Sequence, residues 1–290
     1  MLLLLIVISS SGNLILFADD TNVICKPENA PNTISELTNW FQNNKLVVNE
    51  KKTVAMNFLN SKAISPLQVA LQINNQTLAN VIKTKFLGIT IQSDLKWHEH
   101  INQLNSKISR ATYAFRILVN SVSLPTARCV YFANVHSHLR YGIIFWGNSN
   151  LTKQTFRLQK RILRIMMKSQ PRDSCRPLFT QLEILPLPCV YIYECVNFVK
   201  RDLLQGRDIF SQNSNVHSHN TRSHTNVHRK SVSTALHQKA TLHSCSIIYN
   251  SLPDHIKNIN TLHRFKNEVK AFLLHHCFYS VRDFLSNQNV

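Results

Sequence analysis

Residues 14–26 read LILFADDTNVICK, two short apolar runs with Asp19 and Asp20 between them. An Asp-rich turn between runs of this length predicts a β-hairpin with both carboxylates at its tip. They are the only acidic residues in the first 27 positions. Two adjacent carboxylates on a turn can face one solvent-filled cleft. Such oxygen sites suit Mg²⁺, held through one or two carboxylates plus phosphate oxygens. Two such ions clamp the attacking and leaving oxygens of a phosphoryl transfer. A solvated turn is the plainer account of the pair taken alone, because Asp is common in turns.

Upstream, MLLLLIVISSSG lacks a basic residue after Met1 and is too short to span a bilayer. It reads as a buried strand leading into LILF rather than as a signal peptide, which normally has a charged leading region and a small-residue cleavage site. Downstream, Ile34, Leu37, Trp40 and Phe41 recur at helical spacing over 34–44, with Ser35 placed to cap the start. Residues 46–48, 54–59 and 85–91 read as strands, and LQVALQINNQTLANV (67–81) as a hairpin with an Asn-Asn turn. After Trp97 the period becomes helical: Ile101, Leu104, Ile108, Ala111, Phe115 and Leu118. Further helices are predicted from about Pro125 to Gly142, Thr152 to Lys168 and 190 to 204, and through FKNEVKAFLLHHCF. Between Phe210 and Ser244 the composition turns to Ser, Asn, His and Lys/Arg, a loop-rich stretch. The reading is α+β over 1–95, helical over 96–209, and a basic, His/Ser-rich loop with a helical tail over 210–290.

The 290 residues are 44% hydrophobic, a globular composition, with 33 Lys plus Arg against 15 Asp plus Glu, a formal charge of +18. That excess points to a polyanionic partner, nucleic acid first and an anionic membrane surface second. Seven scattered cysteines without a CxxC pair suggest neither a disulfide framework nor a zinc ribbon, and reduced thiols in an intracellular protein of nucleus or cytoplasm are the simplest account.

The order FADD (17–20), NEKKT (49–53), KFLG (85–88) resembles the C-terminal palm of reverse transcriptases, most closely those of non-LTR retrotransposons of the jockey and CR1 kind. HSHLRYGIIFWG (136–147) and LQKRILRIMMKSQPRDSCRPLFTQLEILPLP (158–188) are similar to their thumb and the region that follows. HSHNTRS (217–223) and YNSLPDHIKNINTLHRFKNEVKAFLL (249–274) are similar to their tail. The resemblance implies an RNA-directed DNA polymerase using Mg²⁺ or Mn²⁺, with RNA template, DNA primer and dNTP as partners and no membrane. It implies a palm of antiparallel strands with helices, followed by a mostly helical thumb. It makes Asp19 the main metal ligand and Asp20 the lesser one. It places Lys52, beside Asn49 and Thr53, near the leaving pyrophosphate, where an ammonium suits the developing charge. It makes Phe86, Leu87 and Gly88 the grip on the primer terminus.

Such polymerases need a further carboxylate from an upstream strand, and residues 1–18 contain no Asp or Glu. The expectation is a truncated copy or partial gene model that does not polymerise by itself. The alternative is a catalytically dead nucleic-acid-binding remnant.

Lys153, Arg157, Lys160, Arg161, Arg164 and Lys168 fall on one helical face, with Ile162, Ile165 and Met166 opposite. The face can meet phosphates, although membrane-surface and calmodulin-target helices look the same. With the resemblance, template and primer backbone are the expected contact. His217, His219, His224 and His228 have no cysteine partner nearby and read as a polar loop. Trp40, Trp97 and Trp146 read as core.

Overall fold

The computed structural model describes residues 2–7, 13–18, 20–58, 71–74, 76–216, 226–229, 231–238 and 240–287. The chain mixes strands and helices, an α+β composition, and divides into two compact units, Met1–His100 and Ile101–Val290.

The first unit is built on a mixed sheet. The 14–26 stretch forms the expected hairpin: β2 (Asn13–Phe17) and β3 (Asp20–Cys25) pair antiparallel with Phe17 opposite Asp20. β1 (Leu2–Val7) lies beside β3 and also beside β4 (Val54–Asn57), parallel to both, and β4 pairs parallel with β7 (Ala79–Asn80). The strand order is β2-β3-β1-β4-β7. The expectation of antiparallel strands holds for β2–β3 and for two smaller hairpins, whereas the other three pairings of this sheet are parallel. The physical reason is the use of β1: a six-residue apolar run without a polar alternation suits a central strand with neighbours on both sides. β5 (Gln72–Ile73) and β6 (Gln76–Thr77) form a small hairpin around Asn74, whose φ is +48°. β8 (Lys83–Phe86) and β9 (Ile89–Gln92) form another.

α1 (Ala30–Asn43) follows β3 and sets Ile34 and Phe41 into a core with Val23, Cys25 and Ala55. It starts before Ser35, after Asn29 and with Pro31 in its first turn, where a missing N–H costs nothing. Ser35 is therefore inside the helix and not its cap. Trp40 is 52% exposed and meets Phe41 only edge-on, at 5.4 Å between centroids, so it is no core residue. Residues 46–48 are irregular rather than a strand; Val47 is 84% exposed.

The second unit is helical. α2 (His98–Leu118) is followed by α3 (Leu124–Tyr131), capped by Ser123, whose hydroxyl accepts from the Thr126 N–H at 3.4 Å. A π-helical turn over Phe132–His136 joins α3 to α4 (Ser137–Arg140), and α5 (Ile143–Trp146) follows Gly142, whose φ is +60°. α6 (Thr152–Met166) and α7 (Arg176–Gln181) lead to α8 (Leu187–Gln205), which is mostly buried. α9 (Asn213–Val216) and α10 (Ala235–Gln238) are short. α11 (Thr241–Asn250), α12 (Asp254–Lys257), α13 (Leu262–His276) and α14 (Val281–Ser286) complete the chain. α11, α13 and α14 all pack on α8.

The motifs of this unit have structural duties. In GIIFWG, Trp146 is fully buried, and its indole N–H donates to the Tyr141 carbonyl at 3.1 Å. Gly147 is where the chain passes the Tyr191 ring of α8. A Cβ there would overlap that ring and sit 2.7 Å from the Ile143 carbonyl oxygen. Gln159, wholly buried, donates to Tyr131 Oη and to the Leu185 carbonyl, both at 2.9 Å, and accepts from the Leu187 N–H at 2.8 Å. It thereby ties α3 and α6 to the start of α8. Asn250, at the head of NSLP, holds the Val227 backbone from both sides: it accepts from the Val227 N–H at 2.8 Å and donates to its carbonyl at 2.9 Å. Lys257 donates to Asn226 Oδ1 at 3.0 Å and pairs with Asp254 at 2.8 Å. The NSLPDHIK part of the tail thus clasps the strand-like segment at 226–228, while HSHNTRS (217–223) lies outside the described residues.

Candidate nucleic-acid interface

The described residues of the first unit that the motif resemblance singles out sit at strand ends or on turns. Phe17 and Asp20 close the β2–β3 ladder, Ala18 turns the chain with φ +50°, and Asp19 lies outside the described residues. Asp20 is half-buried. Its register neighbours are Phe17 on β2 and Leu2 on β1. The strand beside the hairpin therefore brings no oxygen donor to Asp20 in register. Among the described residues no group of three or more His, Cys, Asp or Glu side chains is placed to hold a metal ion.

Asn49 organises the second motif. Its carbonyl accepts from the Thr53 N–H at 3.0 Å and from the Thr53 hydroxyl at 2.8 Å, while its side-chain oxygen accepts from the Lys52 N–H at 3.2 Å. This Asx-type turn buries Thr53, launches β4 and leaves the Lys52 side chain in solvent. Glu50 is tied to the same corner by Asn74, whose Nδ2 donates to it at 2.8 Å.

Leu87 and Gly88 are the two central residues of the β8–β9 turn, with φ of +44° and +81° and Phe86 opposite Ile89. Two consecutive positive φ values identify a type I′ turn, which matches the strand twist and favours Asn-Gly. Gly88 is at home there. Leu87 is not: a branched aliphatic residue in the left-handed region costs about 1 kcal/mol or more.

In the second unit α6 carries the basic residues. Its buried side is Thr155, Phe156, Gln159, Ile162, Leu163 and Met166. Thr155 bonds Asn105 of α2 at 2.7 Å, which fixes the helix's rotation. Lys153, Arg157 and Arg161 then stand in solvent, one turn apart along the axis, and no carboxylate or hydrogen-bond partner engages them among the described residues. Lys168, beyond the helix end with φ +51°, is also exposed. The other two are turned inward. Lys160 Nζ lies 4.8 Å from the Phe156 ring centroid and 5.4 Å from that of Tyr279. Arg164 donates to the Asp173 carbonyl through Nε at 3.2 Å and Nη2 at 2.8 Å. One expected face therefore separates into an open column and two side chains that brace the chain around it. Sequence reading missed Arg176, whose guanidinium carbon lies 4.9 Å from the Tyr279 centroid beside Lys160. No spacing rule links residues 160, 176 and 279, so only the fold shows the cluster.

Of the histidines, His217, His219 and His224 lie outside the described residues. His228 has a structural role, its Nδ1 3.2 Å from Asn213 Oδ1 and its N–H donating to the Ser211 carbonyl. His136 is held between Tyr131 and Phe132, and burial, followed by the charges of Arg140 and Lys270, pushes its pKa down to about 4. Among the described residues no helix is long and apolar enough to cross a membrane. Compared with known protein families, curated proteins and solved structures, the chain matches none.

Proposed function

We propose that this chain binds a nucleic-acid duplex through its phosphates, as a protein of the reverse-transcriptase kind found in non-LTR retrotransposons. In this reading its own carboxylates do not complete nucleotidyl transfer. The observation that carries the proposal is the column Lys153, Arg157, Arg161 on α6: exposed, uncompensated and set at a spacing of about 6 Å along the helix. In a chain of charge +18 such a column suits a regular row of phosphates and reads no sequence. The palm-like part of the reading rests on the motif resemblance. Its support is that NxxKT and FLG each occupy a tight turn at the end of a strand, and that Phe17 and Asp20 of FADD pair at the end of the β2–β3 ladder.

The test is fluorescence anisotropy with an RNA template annealed to a DNA primer, alongside primer extension with dNTPs and Mg²⁺. Binding at low salt, weakened by R157Q/R161Q, with no extension above an Asp19→Asn/Asp20→Asn control, is the expected result. Failure to bind, or binding indifferent to the α6 substitutions, overturns the proposal. Extension that the Asp substitutions abolish replaces it with a polymerase.

A further inference from the structure

The second unit contains a cleft of about 480 Å³ between α2 and the α3–α4 helix, separate from the α6 column. It lies within the range of about 300–1,000 Å³ usual for small-ligand sites. Residues 119–123 are the whole connection between the two helices, so the helices form a hairpin and the cleft has unlike ends. Furthest from the connection are Lys107, Arg110 and His138; nearest it are Leu118 and Val130. Ala114, exposed, lies between them, and its small side chain keeps the middle open. No lining residue among the described residues is acidic. Neither Lys107 nor Arg110 has an ion-pair partner among the described residues. Asn134 enters the lining from the π-helical turn, a distortion often found at functional sites. Its Nδ2 donates to the Val130 carbonyl at 3.3 Å, which directs the amide oxygen away from that bond as an acceptor.

We propose that this cleft takes an unpaired nucleotide of a single-stranded nucleic acid, with its phosphate on Lys107 and Arg110 and its base against Ala114 and Leu118. The proposal rests on the nucleic-acid reading above and adds a second, chemically different contact to it. A duplex keeps its bases stacked and offers only phosphates, which serves the α6 column. A cation-lined end beside an apolar end fits a unit that is anionic at one side and flat and apolar at the other, and an unstacked nucleotide is such a unit. An acidic amphipathic peptide shares the charge but not the flat base.

The test uses the full chain and two labelled probes: a blunt RNA–DNA duplex, and the same duplex with a single-stranded extension of about six nucleotides. The extension is expected to tighten binding about tenfold. A114F, at an exposed position, fills the cleft. It is expected to remove that gain while blunt-duplex affinity stays within about twofold, with an unchanged melting curve as the folding control. K107Q/R110Q is expected to reduce the gain as well. A folded A114F that keeps the gain overturns the proposal. So does polyglutamate of equal charge displacing the extension as well as single-stranded RNA does, which reassigns the cleft to acidic peptide. Binding of neither probe overturns the duplex reading together with this one, whereas loss of the extension's effect alone leaves that reading standing.

Discussion

At the scale of residues, the side chains that matter most to folding are those whose partners lie far along the chain. His136 joins near partners to one such distant group, Lys270. Its unfolded counterpart takes up a proton near pH 6.5, but the folded one does so only near pH 4, because burial and then Arg140 and Lys270 oppose the charge. Between those values the unfolded state holds more protons, so stability is fully present above pH 6.5 and falls as pH drops through the window. The expected loss from this group is about 2 kcal/mol between pH 7 and pH 5. His136→Phe, compared with the parent by urea unfolding at the two pH values, is expected to lose less stability on acidification. Equal pH dependence in both proteins refutes this account. Gly147 makes a second case. Gly147→Ala drives a methyl into the buried Tyr191 ring and is expected to cost about 1–3 kcal/mol. Gly206→Ala meets no atom within 4 Å and carries only the left-handed backbone cost at φ +59°, about 1 kcal/mol. Thermal melts of the two are expected to rank in that order. The types of these residues are plain in the sequence; their burdens are not. Lys160 and Arg164 fall on the basic side of a helical wheel, yet aromatic rings and a backbone carbonyl draw them away from solvent.

Elements with a strong internal period were legible. α2, α6 and α8 lie close to where the apolar spacing put them, and the β2–β3 hairpin forms around its Asp-rich turn. Elements defined by distant partners were not. β1 was readable as a buried strand, but its place between β3 and β4, and its parallel direction, depend on pairings more than a dozen residues away that no local pattern encodes. The α6 column makes a quantitative prediction. Each phosphate neutralised contributes about −0.9 to the slope of log affinity against log salt. R157Q/R161Q is therefore expected to flatten that slope by about 2, read from a salt titration of duplex binding. An unchanged slope puts the phosphate contact elsewhere. The β8–β9 turn tests a different idea. Leu87→Asn suits a type I′ turn and is expected to raise stability by about 1 kcal/mol in a melt. If it also weakens primer–template binding, the strained leucine is retained for contact; if binding is untouched, the leucine has no role in the grip.

At the scale of the whole molecule, β2 ends the strand order of the sheet and is exposed among the described residues. Leu14, Ile15, Leu16 and Phe17 are 52, 40, 64 and 59% exposed. An apolar edge with unpaired backbone groups invites pairing with another chain. Leu16→Lys is expected to reduce light scattering at high protein concentration without lowering the melting temperature. Unchanged scattering removes this edge as a site of self-association. The division of the sequence into a strand-rich part and a helical part was legible from the change of period after Trp97. The exposure of the edge was not, because an apolar run reads the same whether or not another surface lies over it.

That edge and the charge of +18 have opposite responses to the same reagent. Like charges hold copies of this chain apart in dilute buffer, and bound polyanion neutralises them. Concentrated salt, the usual means of stripping nucleic acid from a purified protein, shortens the range of that repulsion to a few ångströms just as the polyanion departs. The wash that cleans the preparation is thus the step at which cloudiness is expected, and a short anionic oligonucleotide is expected to keep the protein dispersed better than high ionic strength.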